Sequence, residues 1–269
     1  MTGGRQAWIG AILLASLGAA GFADTAREEG KRAPFRALVL AERVPPHLAF
    51  VEAASRWLDH LAEREGFKVD YIENTDTLDD ALLAGHALFV QLNYPPYAWR
   101  PEAMEAFRSY VENGRGGWVG FHHATLLGEF DGYPMWPWFW EFMGKIRWKA
   151  YIPTFVAATV HVEDPDHPSM AGVPLTFRID KEEWYTYDQS PRPNVHVLAS
   201  VDEASYRPAS GVRMGDHPVM WTNDRVAARN IYIFMGHGPE LLENVAFTKI
   251  ARNAILWAAS RPGSKKGRP

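Results

Sequence analysis

Cysteine is absent from all 269 residues. That absence excludes disulfides, thiolate metal ligands, a cysteine nucleophile and a lipid-modified cysteine at an export cleavage site. A chain of this length buries enough surface to fold without covalent staples. Charge is also modest: 22% of residues are charged and the formal net charge is -4. Neither a nucleic-acid partner nor an anionic membrane surface is implied. The one basic cluster, Lys265-Lys266-Gly267-Arg268, reads as a solvated tail. No G-x-S-x-G elbow, phosphate loop or dinucleotide fingerprint is present, which disfavours ATP and NAD chemistry. There is no internal repeat.

What is present begins with a processing signal. Arg5 precedes the small, apolar run 7–20, which is too short to span a bilayer comfortably. Gly21-Phe22-Ala23 then offers small residues at the positions a signal peptidase reads. The expected organisation is a signal peptide over 1–23, a flexible leader over 24–34, a single α/β domain over 35–260 and a disordered tail over 261–269. The protein is accordingly expected in the periplasm or outside the cell, with no stable membrane insertion after cleavage.

From residue 35 strand and helix signals alternate. Short apolar runs at 36–41, 68–72, 87–92 and 118–121 suit buried parallel strands. Between them, Pro46 opens a helix with Phe50, Ala53, Ala54, Trp57, Leu58 and Leu61 at helical spacing, stopped by Gly66. Thr77-Leu78-Asp79-Asp80 has capping-box spacing, and Pro101 sits as the first residue of a helix whose apolar face carries Met104, Phe107 and Val111. Four alternations predict a flavodoxin-like, doubly wound, mostly parallel sheet flanked by helices. The second half is strand-rich (157–162, 176–179, 195–199, 218–222, 230–235) and is expected to extend that sheet or form an antiparallel layer beside it. A last helix is expected over about 243–259, with Val245, Ile250, Ala254, Ile255 and Trp257 as buried candidates.

Chemistry is expected where these strands end, because ligands collect beyond the carboxyl ends of parallel strands. His122 and His123 follow the fourth strand, Glu183 lies beside Trp184 and Tyr185 after the strand at Phe177, and His237 follows the strand ending at Met235. Two histidines and a carboxylate make an open site for Zn²⁺ or a similar divalent ion, here His122, Glu183 and His237, although no local spacing supports it. The same residues serve equally as a metal-free acid–base set, so no cofactor is certain. His161, inside a strand, and His167, before a proline, read as structural.

Eleven tryptophans form the third signal. The densest aromatic stretch, from Tyr133 through Trp136, Trp138 and Trp140, follows the histidine pair directly. With Trp184, Tyr185 and Tyr94 these rings either pack on the sheet or form an aromatic wall against the apolar faces of sugar rings.

These residues resemble the ThuA-like (trehalose utilisation) family within the class I glutamine-amidotransferase-like superfamily. The matching pieces are Gly116 to Thr125, Glu163 to Pro168, Glu183-Trp184-Tyr185, Pro218 to Thr222, Gly236-His237 and Asn253 to Ala258. The resemblance implies a flavodoxin-like sheet, a polar pocket at His122 or His123, Glu183 and His237, and small carbohydrates, often 3-keto-glycosides, as substrates. It also implies that His122 stands where the superfamily's cysteine nucleophile would be, so thioester chemistry is excluded. A histidine common in the family after the aromatic helix is missing here, where Lys145, Arg147 and Lys149 are the nearest polar residues. The expected activity is acid–base, metal-assisted or metal-free, cleavage or isomerisation of glycosides. The alternative is a non-catalytic sugar-binding or accessory protein.

Overall fold

A computed structural model describes residues 1–2, 34–45 and 47–260. Most of the expected signal peptide and of the leader, the helix-opening Pro46 and the tail lie outside the described residues. Strand β1 (Arg36–Ala41) is buried from its second residue on, as an apolar run inside a parallel sheet must be. It leads into α1 (Leu48–Glu65), which buries Phe50, Val51, Ala54, Leu58, Leu61 and Ala62 on one stripe. The helix ends where Gly66 adopts a left-handed φ of 76° and donates its N–H to the Ala62 carbonyl. Ala53 and Trp57 lie beside the stripe and are only half-buried.

There follow β2 (Lys68–Ile72), α2 (Asp80–Ala84), β3 (Leu88–Leu92), α3 (Pro101–Glu112) and β4 (Gly117–Phe121). The α2 cap is Asp79 rather than Thr77: its backbone is extended and its carboxylate accepts the Leu82 N–H. An ionised acceptor at a helix start outcompetes a hydroxyl two residues earlier.

The second half supplies α4 (Pro137–Phe142), β5 (Trp148–Tyr151), β6 (Val156–Val162), β7 (Thr176–Glu182), β8 (Tyr185–Tyr187), β9 (His196–Arg207), β10 (Pro218–Thr222), β11 (Asn230–Ile233) and α5 (Val245–Ala258). Nine strands form one sheet in the order β2-β1-β3-β4-β11-β10-β9-β6-β7. The five from β2 to β11 run parallel, and the remaining pairings are antiparallel. The second half therefore extends the sheet, while β5 and β8 form a separate two-stranded ribbon.

Helix α5 lies directly on β4: a Cβ at Gly117 would stand 2.1 Å from the Ala258 carbonyl oxygen. Its first residue, Val245, is 74% exposed, contrary to the expected burial. Asn244 caps the helix by accepting the Phe247 N–H, which points the Val245 position to solvent. Among the described residues no helix is long and apolar enough to cross a membrane.

Candidate functional site

Because five strands run parallel, their carboxyl ends share one edge. The strand order reverses between β1 and β3, the position at which ligands collect in open α/β sheets. Glu42 and His47 follow β1, Asn93 follows β3, His122 and His123 follow β4, and Gly236 and His237 come just after β11. From the antiparallel half, Glu182 ends β7 and Glu183 comes next.

His122 occupies a sharp turn, with a left-handed φ of 43° at a residue that carries a side chain. Such a backbone costs about 1–2 kcal/mol and persists only when the surroundings hold it. Here the His122 carbonyl accepts the hydroxyls of Tyr185 at 2.7 Å, Tyr232 at 2.8 Å and Thr125 at 3.2 Å. Burial keeps both phenols far above their ordinary pKa, so they stay neutral donors. The opposing turn must be glycine: a Cβ at Gly236 would come within 2.7 Å of the His122 Cβ. Asn93, itself at φ 60°, donates to the Gly236 carbonyl at 2.7 Å, and Glu182 accepts the Gly236 N–H at 3.0 Å. Both turns are thus fixed from below.

Above them the imidazoles converge. One donor atom from each of His47, His122, Glu183 and His237 lies within 4.8 Å of the others. Glu183 Oε2 stands 3.6 Å from His122 Nε2 and 3.4 Å from His237 Nδ1. Three buried nitrogens, His47 Nε2, His122 Nε2 and His237 Nδ1, have no hydrogen-bond partner.

Their other sides are engaged in two cases. His47 Nδ1 is 2.9 Å from Glu42 Oε2, and His122 Nδ1 donates to the Phe234 carbonyl at 3.1 Å. That fixes the tautomers that leave Nε2 lone pairs facing the cluster, the arrangement metal-bound histidines adopt.

The electrostatics agree. Burial pushes His122 down to about 4, against the pull of Glu183, and His123 well below its ordinary value. Burial opposes ionisation of Glu183, yet the His122 and His237 imidazoles hold its carboxyl far below the usual range. Glu182, wholly buried, is raised to about 8 by desolvation, although the Gly236 and Glu183 N–H groups pull it down. Neutral imidazoles around one carboxylate form a donor set suited to Zn²⁺ or a similar divalent ion.

His122, Glu183 and His237 are thus brought together. His123 is not one of those four but forms a second group with Glu42 and His47, one donor atom of each lying within 4.8 Å of the others; its ring stacks on His122 at 4.8 Å and 7°, and its Nδ1 lies 4.0 Å from Glu42 Oε1. The aromatic candidates take other places. Trp136 is buried against Trp99, Phe107 and Phe139, and Trp138 stacks on Phe142 while donating to Glu112. Trp184 is fully buried, stacked on Phe234 and bonded to the Val156 carbonyl. Tyr185 belongs to the hydroxyl group beneath His122, and half-buried Tyr94 packs on Trp99. These rings, Tyr94 aside, are core packing rather than a wall for ligand, since rings this apolar gain most by leaving water.

His167 caps a turn by accepting the Ser169 N–H, and His161 sits in β6. The residues missed from sequence are Glu42, His47 and Asn93. Glu42 and Asn93 follow strand ends as His122 does, and that signal was available.

The profile of the trehalose utilisation family, ThuA, matches residues 36–258. No curated protein matches the chain. Among solved structures, a ThuA-like protein from Bacteroides uniformis ATCC 8492 is 30% identical, with a TM-score of 0.77 over 87% of this chain and 95% of its own. One from Parabacteroides merdae ATCC 43184 is 21% identical, with a TM-score of 0.61 over 87% of this chain and 93% of its own. Agd3, a carbohydrate deacetylase, shares the fold at 13% identity and a TM-score of 0.53, over 84% of this chain and 32% of its own.

Proposed function

Since the chain belongs to the ThuA, or trehalose utilisation, family, we propose that it is an exported, carbohydrate-active enzyme that cleaves oxidised (3-keto) glycosides by acid–base chemistry at the His47–His122–Glu183–His237 cluster. The observation that carries this reading is the trio of partnerless imidazole nitrogens around one carboxylate. Family membership is consistent with a carbohydrate-related role.

A divalent ion held by His47, His122, Glu183 and His237 would polarise the ketone of the sugar as a Lewis acid. Burial keeps His122 neutral for that duty, and Glu183 supplies the one negative charge of the set. Glu42 orients His47 from behind, and Glu182 fixes the turn that carries His237.

His123 is the base. Its imidazole lies outside the donor group and keeps some exposure, so it can meet substrate. It takes the proton from the carbon between the ketone and the anomeric carbon. The electron pair so released expels the glycosidic oxygen, which receives a proton from the imidazolium. The products are an unsaturated keto-sugar and the free aglycone, with no net redox change.

The test is elemental analysis of purified protein, combined with turnover of glycosides and their 3-keto forms before and after chelation. About one equivalent of bound metal and chelator-sensitive cleavage of 3-keto-glycosides alone is the expected result. Turnover without metal would remove the ion from the proposal, and turnover of neither substrate would remove the enzyme. Export carries its own check: the mature protein should begin at Asp24, and secreted protein that retains Met1 would refute cleavage.

A further inference from the structure

His123, the base of the proposed reaction, belongs to a second donor group, and that group shares one ring with the first. One donor atom from each of Glu42, His47 and His123 lies within 4.8 Å of the others. Glu42 Oε2 stands 2.9 Å from His47 Nδ1, and its other oxygen, Oε1, stands 4.0 Å from His123 Nδ1. The His47 and His123 rings meet edge to face, with centroids 4.0 Å apart and planes at 73°. Glu42 and His47 are buried, while 18% of the His123 side chain is exposed.

His47 therefore faces both ways. Its partnerless Nε2 turns to His122, Glu183 and His237, and its Nδ1 belongs to the second group. Glu42 gives that second group a buried carboxylate. Among the described residues only imidazoles, and no Lys or Arg, stand within ion-pair distance of it. A carboxylate taken out of water is costly unless a cation or several hydrogen bonds compensate it. Two imidazoles and one carboxylate are an open donor set for Zn²⁺ or a similar divalent ion.

We propose that Glu42, His47 and His123 form a second, weaker divalent-cation site, and that an ion held there switches the reaction off. The inhibitory ion goes beyond the proposed function, and rests on that reading only for the role of His123. The ion takes the place of the hydrogen between His47 Nδ1 and Glu42. That proton leaves to solvent, and His47 then bridges the two sites as an imidazolate. Giving up this proton makes the second site the weaker of the two. His123, still neutral, gives Nδ1 to the ion and so carries its own proton on Nε2. Neither nitrogen then keeps a lone pair for the substrate C–H, while the first ion stays in place. The exposed part of His123 leaves this ion open to exchange, so activity falls as free Zn²⁺ rises.

The experiment titrates metal-free wild type and His123→Ala with Zn²⁺ by calorimetry, and counts bound metal after equilibrium dialysis. Wild type should take two equivalents, the second about 10²-fold more weakly than the first. Its cleavage of 3-keto-glycosides should rise through the first equivalent and fall about tenfold through the second. His123→Ala should take one equivalent, within about threefold of the first wild-type affinity. Melting temperature and that retained equivalent show that the variant folds.

Wild type that stops at one equivalent, His123→Ala that takes two, or turnover undiminished by the second ion would overturn the proposal. If wild type cleaves no 3-keto-glycoside at any Zn²⁺ concentration, the proposed function fails. The count of two equivalents against one then decides the second site alone.

Discussion

Glu42 holds His47 from behind: its Oε2 accepts the His47 Nδ1 hydrogen at 2.9 Å, while the opposite nitrogen of the same ring faces Glu183, His122 and His237 without a partner. A carboxylate in that position fixes the imidazole's tautomer and ring orientation. Glu42→Ala should therefore weaken metal binding about 10–100-fold, measured by competition with a chromogenic chelator. Glu42→Gln, which retains an acceptor, should lie between the two. Wild-type affinity in Glu42→Ala would deny Glu42 this role.

The two adjacent histidines should separate cleanly. His122→Ala and Glu183→Gln should lose metal and turnover together. His123→Ala should keep its metal and lose about 10²–10⁴-fold in kcat, the usual range for removing a general base. Metal loss in His123→Ala, seen by elemental analysis, would move that residue into the donor set.

The hydroxyls beneath His122 predict a stability cost with a functional echo. Tyr232→Phe removes one donor to the His122 carbonyl and breaks its contacts with Tyr185 and Thr125. The expected loss is about 1–3 kcal/mol by urea denaturation, because buried partners are left unsatisfied. Metal affinity should fall as well, since the turn at His122 is then held less firmly. Unchanged metal affinity would reduce these hydroxyls to core polarity alone.

His167 gives a pH prediction far from the cluster. Burial lowers its pKa to about 4, although Asp164 pulls it up. The folded state thus binds this proton more weakly than the unfolded state does. Its contribution is complete above the unfolded value near 6.5 and is lost as pH falls through that value toward about 4. His167→Asn, which can still accept the Ser169 N–H, should give a shallower decline of melting temperature between those pH values. An identical decline in both proteins would contradict this assignment.

Much of the architecture was readable because parallel strands buried on both faces are short apolar runs and their crossover helices carry one apolar stripe. Phe35 to Phe121 shows both. His122, Glu183 and His237 were found because each follows a strand signal. His47 was not, because it sits at the entry of α1 where nothing local separates a ligand from an ordinary cap-position residue. Only the fold brings it against His237, at 4.6 Å between ring centroids.

The aromatics show the opposite difficulty. Trp136 and Phe155 are equally apolar in sequence, and which one is covered depends on whether α3 supplies a Phe107 to pack against. The place of the second-half strands was likewise open, since antiparallel strands signal only their own alternation and not which edge they join.

The pairing of β4 with β11 has a consequence for how the chain reaches its native state. It is the seam between a half built by long crossovers and a half built from antiparallel neighbours. Glu42, His47, Asn93, His122 and His123 lie before the seam, while Glu182, Glu183 and His237 lie after it. Pairings this distant in sequence carry a large loop-closure cost and form slowly. The residue cluster is therefore complete only once that pairing has formed, and a chain with either half complete still has only half of it.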